Sequence, residues 1–411
     1  MSVPAAEART SRDRTLIAAA TALLLASVLP QYLIASLAVT IREDFPFSDA
    51  ELGLATGVSF GLSAVLSPVS GRAMDWIGPR RGVIAASTLV AFSALAMGTV
   101  ASSAQAMIAL MAVNGLGAGI GSPTLASLLA GNIALRRQGS AFGILSSAPQ
   151  MAAFCGGLAL PLVAEPFGWQ AAFVAAAAIS LLCLVPLLRQ ELRFAPRQGA
   201  DRADGRRRRR PRSIHVIALS AAAASAAGIG MRSFLVVFAV SIGFTNTAAG
   251  LLLALTGLLA IGSRLGFGVL GDRRPGDGLV RAGGLMAVGA LGYALMAVGT
   301  PAPVVAGAVI AGGLSWGWQT PLSLAVISNN PRATSAAIGI QMGGFFAGAL
   351  VGPLLVGFLA EHGSYRQAWI LCGALALGAT AVLLVARRMA HGEAAVRRPL
   401  IAEPAAPSEH L

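Results

Sequence analysis

Arg232 and Arg264 are the two residues whose type and position most need a chemical explanation. Each lies inside a long apolar run of the 411-residue chain, and no Asp, Glu, Lys or His occupies the middle of any such run. If the runs cross a bilayer, Arg264, eight residues before Asp272, sits roughly 12 Å into a hydrocarbon core about 30 Å thick. Arg232, ten residues from the end of its run, is about 15 Å deep by the same rise per residue. A charge at that depth is costly unless it lines a wet cavity or finds a partner, and neither side chain comfortably snorkels to an interface. With no buried carboxylate in reach, the expected counter-charge is a bound anion. Guanidinium suits that task because it can donate two parallel hydrogen bonds to a carboxylate-like group. The competing account of Arg264 is structural, with the side chain bonded to helix carbonyls or to a neighbouring loop. That of Arg232 turns on where its helix begins.

The elements that must hold these arginines follow from composition. The chain is 56% hydrophobic and 11% charged, against roughly 25% charged residues in soluble domains, and its mean hydropathy is +0.74. It cannot cover a water-facing surface of the usual kind. A window of about 20 apolar residues gives twelve spans, roughly 15–41, 51–71, 83–102, 105–130, 138–164, 168–189, 213–242, 248–271, 280–300, 303–328, 334–360 and 366–387. The first is too long for a cleaved signal peptide and lacks a small-residue cleavage site. Twelve spans put both termini on one side. All 30 basic residues are Arg; 26 fall in the tails and in loops on the termini's side, and only Arg42 and Arg366 fall in loops opposite. That asymmetry predicts cytoplasmic termini in a cell (inner) membrane. It also accounts for the net charge of +13 without a nucleic-acid partner. Cys155, Cys183 and Cys372 all lie in apolar stretches and read as small apolar residues, not as a disulfide or a metal site.

The polar stretch around Arg206–Arg210 divides the chain into a six-span bundle (1–190), a cytoplasmic Arg-rich linker (191–212), a second six-span bundle (213–390) and a cytoplasmic tail (391–411). The linker reads as a flexible topological segment or as a contact for anionic lipid headgroups. The halves echo each other. Gly115 to Pro123 recurs as Gly313 to Pro321 (offset 198), and Gly71 to Asp75 as Gly268 to Asp272 (offset 197). Arg136, Gly143 and Glu165 recur as Arg332, Gly339 and Glu361, and Gly168–Phe173 is echoed more weakly by Ser364–Trp369, both at offset 196. Parallel six-helix repeats are an architecture of secondary transporters, with the substrate site between the halves near the midplane.

The segment Gly71-Arg-Ala-Met-Asp75-Trp-Ile-Gly78-Pro-Arg80-Arg81 resembles the loop motif of the major facilitator superfamily, and the resemblance extends over essentially the whole chain. It implies an all-α fold of two pseudo-symmetric six-helix bundles. It also implies a conformational latch made by Gly71, Asp75, Gly78, Arg80 and Arg81, with Gly268 and Asp272 as its partner in the second half. Physically, Gly71 permits close helix approach, Asp75 can meet a cation or a helix N-terminus, and the arginines hold the loop inside. Two features of proton-coupled drug exporters are missing or partial: Met111 stands where those carry Arg, and Ala148-Pro149 with Gly156-Gly157 only partly matches their fifth-span signature. The stretch Arg264 to Gly268 resembles the eighth-span pattern of carboxylate and oxalate transporters of the superfamily. Ala260 replaces the Asp of the monocarboxylate branch, and the repeat-related residue is Ser67, so the positive charge is one-sided.

Softer candidates for a cavity lining are Gln31, Tyr32, Asn114, Gln150, Trp316, Gln319 and Gln341, each of which could equally bridge two helices. Of the mid-span pair Trp316 and Trp318, one suits a cavity wall and the other simple packing. Taken together, the expectation is a secondary active transporter for a small organic or inorganic anion, working by alternating access and similar to the cyanate-permease and monocarboxylate branches. Protons are a candidate coupling ion, no cofactor or metal is required, and a monomer is the family default. The alternative is a multidrug or cation exporter. An enzyme is not expected, because no nucleophile-and-base arrangement lies at membrane depth; His215, His362, His391 and His410 sit at span edges or in tails.

Overall fold

The computed structural model describes residues 3–188, 212–273, 277–330 and 334–397, and among these there is no strand. The first half comprises α1 (Val3–Asp44), α2 (Asp49–Ile77), α3 (Pro79–Thr99), α4 (Ala104–Asn132), a fifth span in pieces, and a sixth. The fifth runs as α5 (Leu135–Ser146), α6 (Ala148–Ala159), a π turn (Leu160–Ala164) and α7 (Glu165–Phe167), and the sixth is α8 (Trp169–Leu188). The second half begins with α9 (Arg212–Ser241), α10 (Asn246–Arg273) and α11 (Gly278–Met296). The expected linker to residue 211 and the tail from 398 lie outside the described residues, and the last helix continues into the expected tail as far as Arg397.

The tenth span is not the uninterrupted run that hydropathy implies. It is α12 (Pro301–Ala308), a π turn (Val309–Leu314), a 3-10 turn (Ser315–Trp318) and α13 (Gln319–Asn329). Among the described residues eleven helical stretches are therefore long and apolar enough to cross a bilayer, and the tenth crossing is assembled from four pieces. The run Gly312-Gly313 and Gly317 lowers local helix preference, and the π turn re-aims the side chains that follow it. The last two spans are α14 (Thr334–His362) and α15 (Tyr365–Arg397). Gly78 and Gly168 turn the chain between spans at positive φ (83° and 84°), a conformation that suits glycine.

Apolar helices gain no hydrophobic drive toward one another in lipid, so close contact between small residues must hold them together. Within the second half, Gly344, Gly348 and Gly352 of α14 lie on the backbone of Ala218, Ala222 and Ala226 of α9. Between the halves, Gly53, Gly57 and Gly61 of α2 lie against Leu350 and Pro353 of α14, and α6 meets α10 through Gly157 and Gly257. The seams between the halves sit toward the end of the bundle away from the termini. There one hydrophobic cluster runs through both halves, including Leu33, Phe45, Phe238 and Trp369, whereas nearer the termini each half keeps its own. Among the described residues the halves are thus joined at the far end and share no such cluster at the terminal end.

Polar contacts follow the same division. At the far end Glu361 accepts from the Ala50 N–H (2.6 Å) and Tyr365 donates to Asp49 Oδ2 (2.8 Å), both across the halves. Thr247 donates to Glu165 across the other seam (2.8 Å). Among the described residues, the polar contacts nearest the terminal end lie within a half: Arg137 with Asp13 (3.3 Å), Arg80 with the Leu188 carbonyl (3.3 Å), and Arg387 with Asp277. Asp277 also caps α11 through the Leu279 and Val280 N–H groups. Partial burial alone would raise its carboxyl pKa, but the Arg387 hydrogen bond and the two helix N–H groups outweigh that and hold it below the usual carboxylate range.

Candidate functional site

Arg232 projects from the middle of α9 and is 1% exposed. Its Nη2 donates to the carbonyl of Gly312, in the π turn of the tenth span. The guanidinium lies over the Trp316 ring, 4.6 Å from its centroid, within the range of a cation–π contact. The indole fits because residue 228, one turn before Arg232, is glycine; a Cβ there would overlap the ring. Nε and Nη1 of Arg232 have no hydrogen-bond partner. A small space opens on this residue, lined also by Gln31, Tyr32, Ala35, Phe60, Ile229 and Ser233. The Tyr32 side chain interacts with the Arg232 guanidinium, outside strict hydrogen-bond geometry, and Arg264 lies within electrostatic range of both. None of the described acidic side chains is buried.

Arg264 is held differently. Pro149 has no N–H, and the chain breaks between α5 and α6 at Ser147. The Gln150 N–H turns to the Ser147 carbonyl (3.0 Å), which leaves the Ser146 carbonyl without its usual helical donor. Arg264 Nη1 crosses from the other half to occupy it at 3.0 Å, while its Nε stays unpartnered. Both accounts weighed for this residue therefore have a footing: one arm binds a helix carbonyl, and another nitrogen is free.

The structure brings Tyr32, Gln31, Gln150 and Trp316 to the arginines. Gln31 donates to Ser59 (2.9 Å) and keeps an unpartnered Oε1. The Gln150 amide satisfies its surroundings in one orientation, with Oε1 accepting from Trp316 Nε1 (3.1 Å) and Nε2 donating to the Ser146 and Ser147 carbonyls. Other candidates serve helix contacts. Asn114 accepts from Ser59 and donates to the Ser27 carbonyl, each at 3.4 Å. Gln341 exchanges hydrogen bonds with Ser323. Gln319 is half-buried at the start of α13. Trp318 is buried against Trp316 and Phe345. Of the expected latch, Gly71 and Asp75 lie near the end of α2 and Asp272 near the end of α10, with the two Asp side chains outside the described set. Arg81 is exposed, and Gly268 faces open space apart from Thr320. Ser146, Glu165 and Glu361 were not singled out as functional; the Ala148-Pro149 break was the available signal for the first, and the offset of 196 for the other two.

A buried guanidinium with two unpartnered nitrogens, a second arginine within electrostatic range and, among the described residues, no buried acid can bind an anion. Residues 16–339 match the family described as Major Facilitator Superfamily. An "MFS-type efflux pump" of Mycolicibacterium smegmatis (strain ATCC 700084 / mc(2)155) is 28% identical over 263 residues, which is 59% of this chain and 58% of that protein. Among solved structures, a bacterial homologue of the human lysosomal transporter Spinster, in an inward-facing and unoccupied conformation, superposes with a TM-score of 0.71 at 18% identity over 93% of this chain and 98% of the other. The nucleoside transporter NupG superposes with a TM-score of 0.68 at 15% identity, over 91% and 98%.

Proposed function

The chain belongs to the Major Facilitator Superfamily, and from that premise we propose that this membrane transporter carries a small anion, of the carboxylate class, by alternating access. The observation that carries this reading is Arg232, buried with Nε and Nη1 unpartnered among residues that include no buried acid. In the apolar interior an unmatched guanidinium is costly, and an anionic substrate supplies the missing charge and acceptors. Arg264 does not line that space but adds a second cation within electrostatic range of Arg232 and Tyr32. With the termini cytoplasmic, as the arginine distribution argues, the terminal end faces the cytoplasm of a cell (inner) membrane and the joined end faces outward.

The test is a thermal-shift panel on purified protein, with acetate, oxalate, benzoate and sulfate against cationic drugs, alongside Arg232→Ala and Arg264→Ala. Stabilisation by an anion, lost in both variants, is the expected result. Stabilisation by cations that survives in both would sink the reading. A second reading, export of drugs or other cations, has one observation in its favour: the relative from M. smegmatis is named an efflux pump. The cation result in the panel is the outcome that would promote it.

A further inference from the structure

We propose that Gln150 is a positioning residue for the anion site, joining the two arginines into one unit through the break in the fifth span; this rests on the anion reading above. The contacts form an unbroken chain across the halves. Arg264 donates to the Ser146 carbonyl at 3.0 Å. Gln150 Nε2 donates to the same carbonyl at 3.2 Å, and its Oε1 accepts from Trp316 Nε1 at 3.1 Å. The Trp316 ring then lies under Arg232, 4.6 Å from ring centroid to guanidinium carbon, and Arg232 donates to Gly312. Two helix breaks make the chain possible. The break at Ser147 turns the Gln150 N–H to the Ser147 carbonyl and so frees the Ser146 carbonyl in the first half, and the π turn at Val309–Leu314 presents a carbonyl and re-aims the indole in the second.

Gln150 need not touch the substrate to matter. Its amide fixes the plane of the indole, and the indole covers one face of Arg232, so the free Nε and Nη1 are held toward the space lined by Gln31 and Tyr32. At its other end it shares the Ser146 carbonyl with Arg264. An anion that draws Arg264 away leaves that carbonyl to Gln150 alone, so substrate binding loosens a contact between the halves without leaving the carbonyl unpartnered.

The experiment measures the apparent Kd for the panel anions acetate, oxalate, benzoate and sulfate in wild type, Gln150→Leu, Trp316→Phe, the double variant, Gln150→Glu and Arg232→Ala. Gln150→Leu and Trp316→Phe each remove the same hydrogen bond, so each is expected to raise Kd about tenfold, near the upper end for one buried hydrogen bond. The double variant should also lose about tenfold, not a hundredfold. Gln150→Glu keeps an acceptor for the indole but places a carboxylate beside both arginines. It should abolish the anion-induced thermal shift while raising the melting temperature without anion, a pairing that a merely space-filling residue would not give. Wild-type Kd in Gln150→Leu with binding abolished in Arg232→Ala overturns the role of Gln150 alone. Losses that multiply in the double variant do the same. Unchanged binding in Arg232→Ala overturns the anion reading and this inference with it. If Gln150→Leu does not fold, Gln150→Glu decides the matter, and retained anion stabilisation in that variant is the overturning result.

Discussion

Glu165 and Glu361 stand 196 positions apart at equivalent places in the two repeats, and each reaches across to the first turn of a helix in the opposite half. Glu361 accepts from the backbone N–H of Ala50, and Glu165 from the hydroxyl of Thr247. Ala50 and Thr247 are themselves related by 197 positions, as are the capping hydroxyls Ser48 and Thr245, which accept from the N–H groups of Glu51 and Ala248 at 3.2 Å each. The far end is therefore closed twice by the same device. A carboxylate is favoured at such a helix start, where backbone N–H groups lack partners.

Glu361→Gln and Glu165→Gln should each open the far end part of the time. Both carboxylates are solvent-exposed, so each contact contributes only about 0.5 kcal/mol, a two- to threefold shift in the open population. A Ser233→Cys reporter in a background without native cysteines, labelled by an impermeant maleimide from the far side, measures it. Labelling that is no faster in the double variant than in the parent would show that the glutamates do not hold the closure.

Gly228→Ala should damage the site while sparing the bundle. The added methyl overlaps the Trp316 ring and pushes the indole off Arg232, at an overpacking cost of about 1–3 kcal/mol. Anion affinity is expected to fall by an order of magnitude or more, with the protein still monodisperse in detergent. Unimpaired affinity would mean that the ring is not needed over the guanidinium.

Asp277 provides a pH test at the terminal end. Its folded pKa lies below the ordinary value, so its contribution is complete above about pH 3.9, the unfolded value, and is lost as pH falls through the folded one. Asp277→Asn should be less stable at neutral pH by a modest amount, since the pair with Arg387 is partly exposed. The wild-type advantage in melting temperature should shrink toward zero on acidification. An advantage that persists undiminished at the acid end would exclude the ion pair as its source.

Asp75→Asn should slow exchange between the two open states more than it weakens anion binding, if the second-span loop is a latch. Transport turnover and equilibrium Kd, measured on the same preparation, separate the two effects. A marked loss of affinity at unchanged turnover would rule the latch out.

Much of this molecule could be read in advance because lipid imposes strict rules on sequence. The spans follow from apolar length, and the two halves from echoes such as Gly71–Asp75 with Gly268–Asp272. Arg232 and Arg264 stood out because charge in an apolar run needs a reason. The tenth span misled, since hydropathy sums over residues and cannot register that Gly312, Gly313 and Gly317 let the helix change pitch. Partners were harder still. Nothing local in Asn114 or Gln341 says that Ser59 and Ser323 will occupy them, because that depends on which helices become neighbours. The every-fourth glycines at 53, 57 and 61 were a readable sign of a close seam, yet they carry no charge and so did not draw notice. Glu361 was seen as an echo, but its target at Ala50 is a backbone group that a sequence does not advertise.

The glycine seam has a thermodynamic meaning beyond packing. Each half is built mostly from its own contacts, so a change on α2 at the seam leaves the folding of either half nearly untouched and acts on the equilibrium between them. At Gly57 a single methyl would sit 2.8 Å from the Leu350 carbonyl oxygen. If it costs about 1–3 kcal/mol in the joined arrangement only, it changes the ratio of the two arrangements by about 5–150-fold. The missing Cβ atoms therefore act as a dial on conformational bias, and natural variation at these positions would retune how long the transporter waits on each side without altering what it binds.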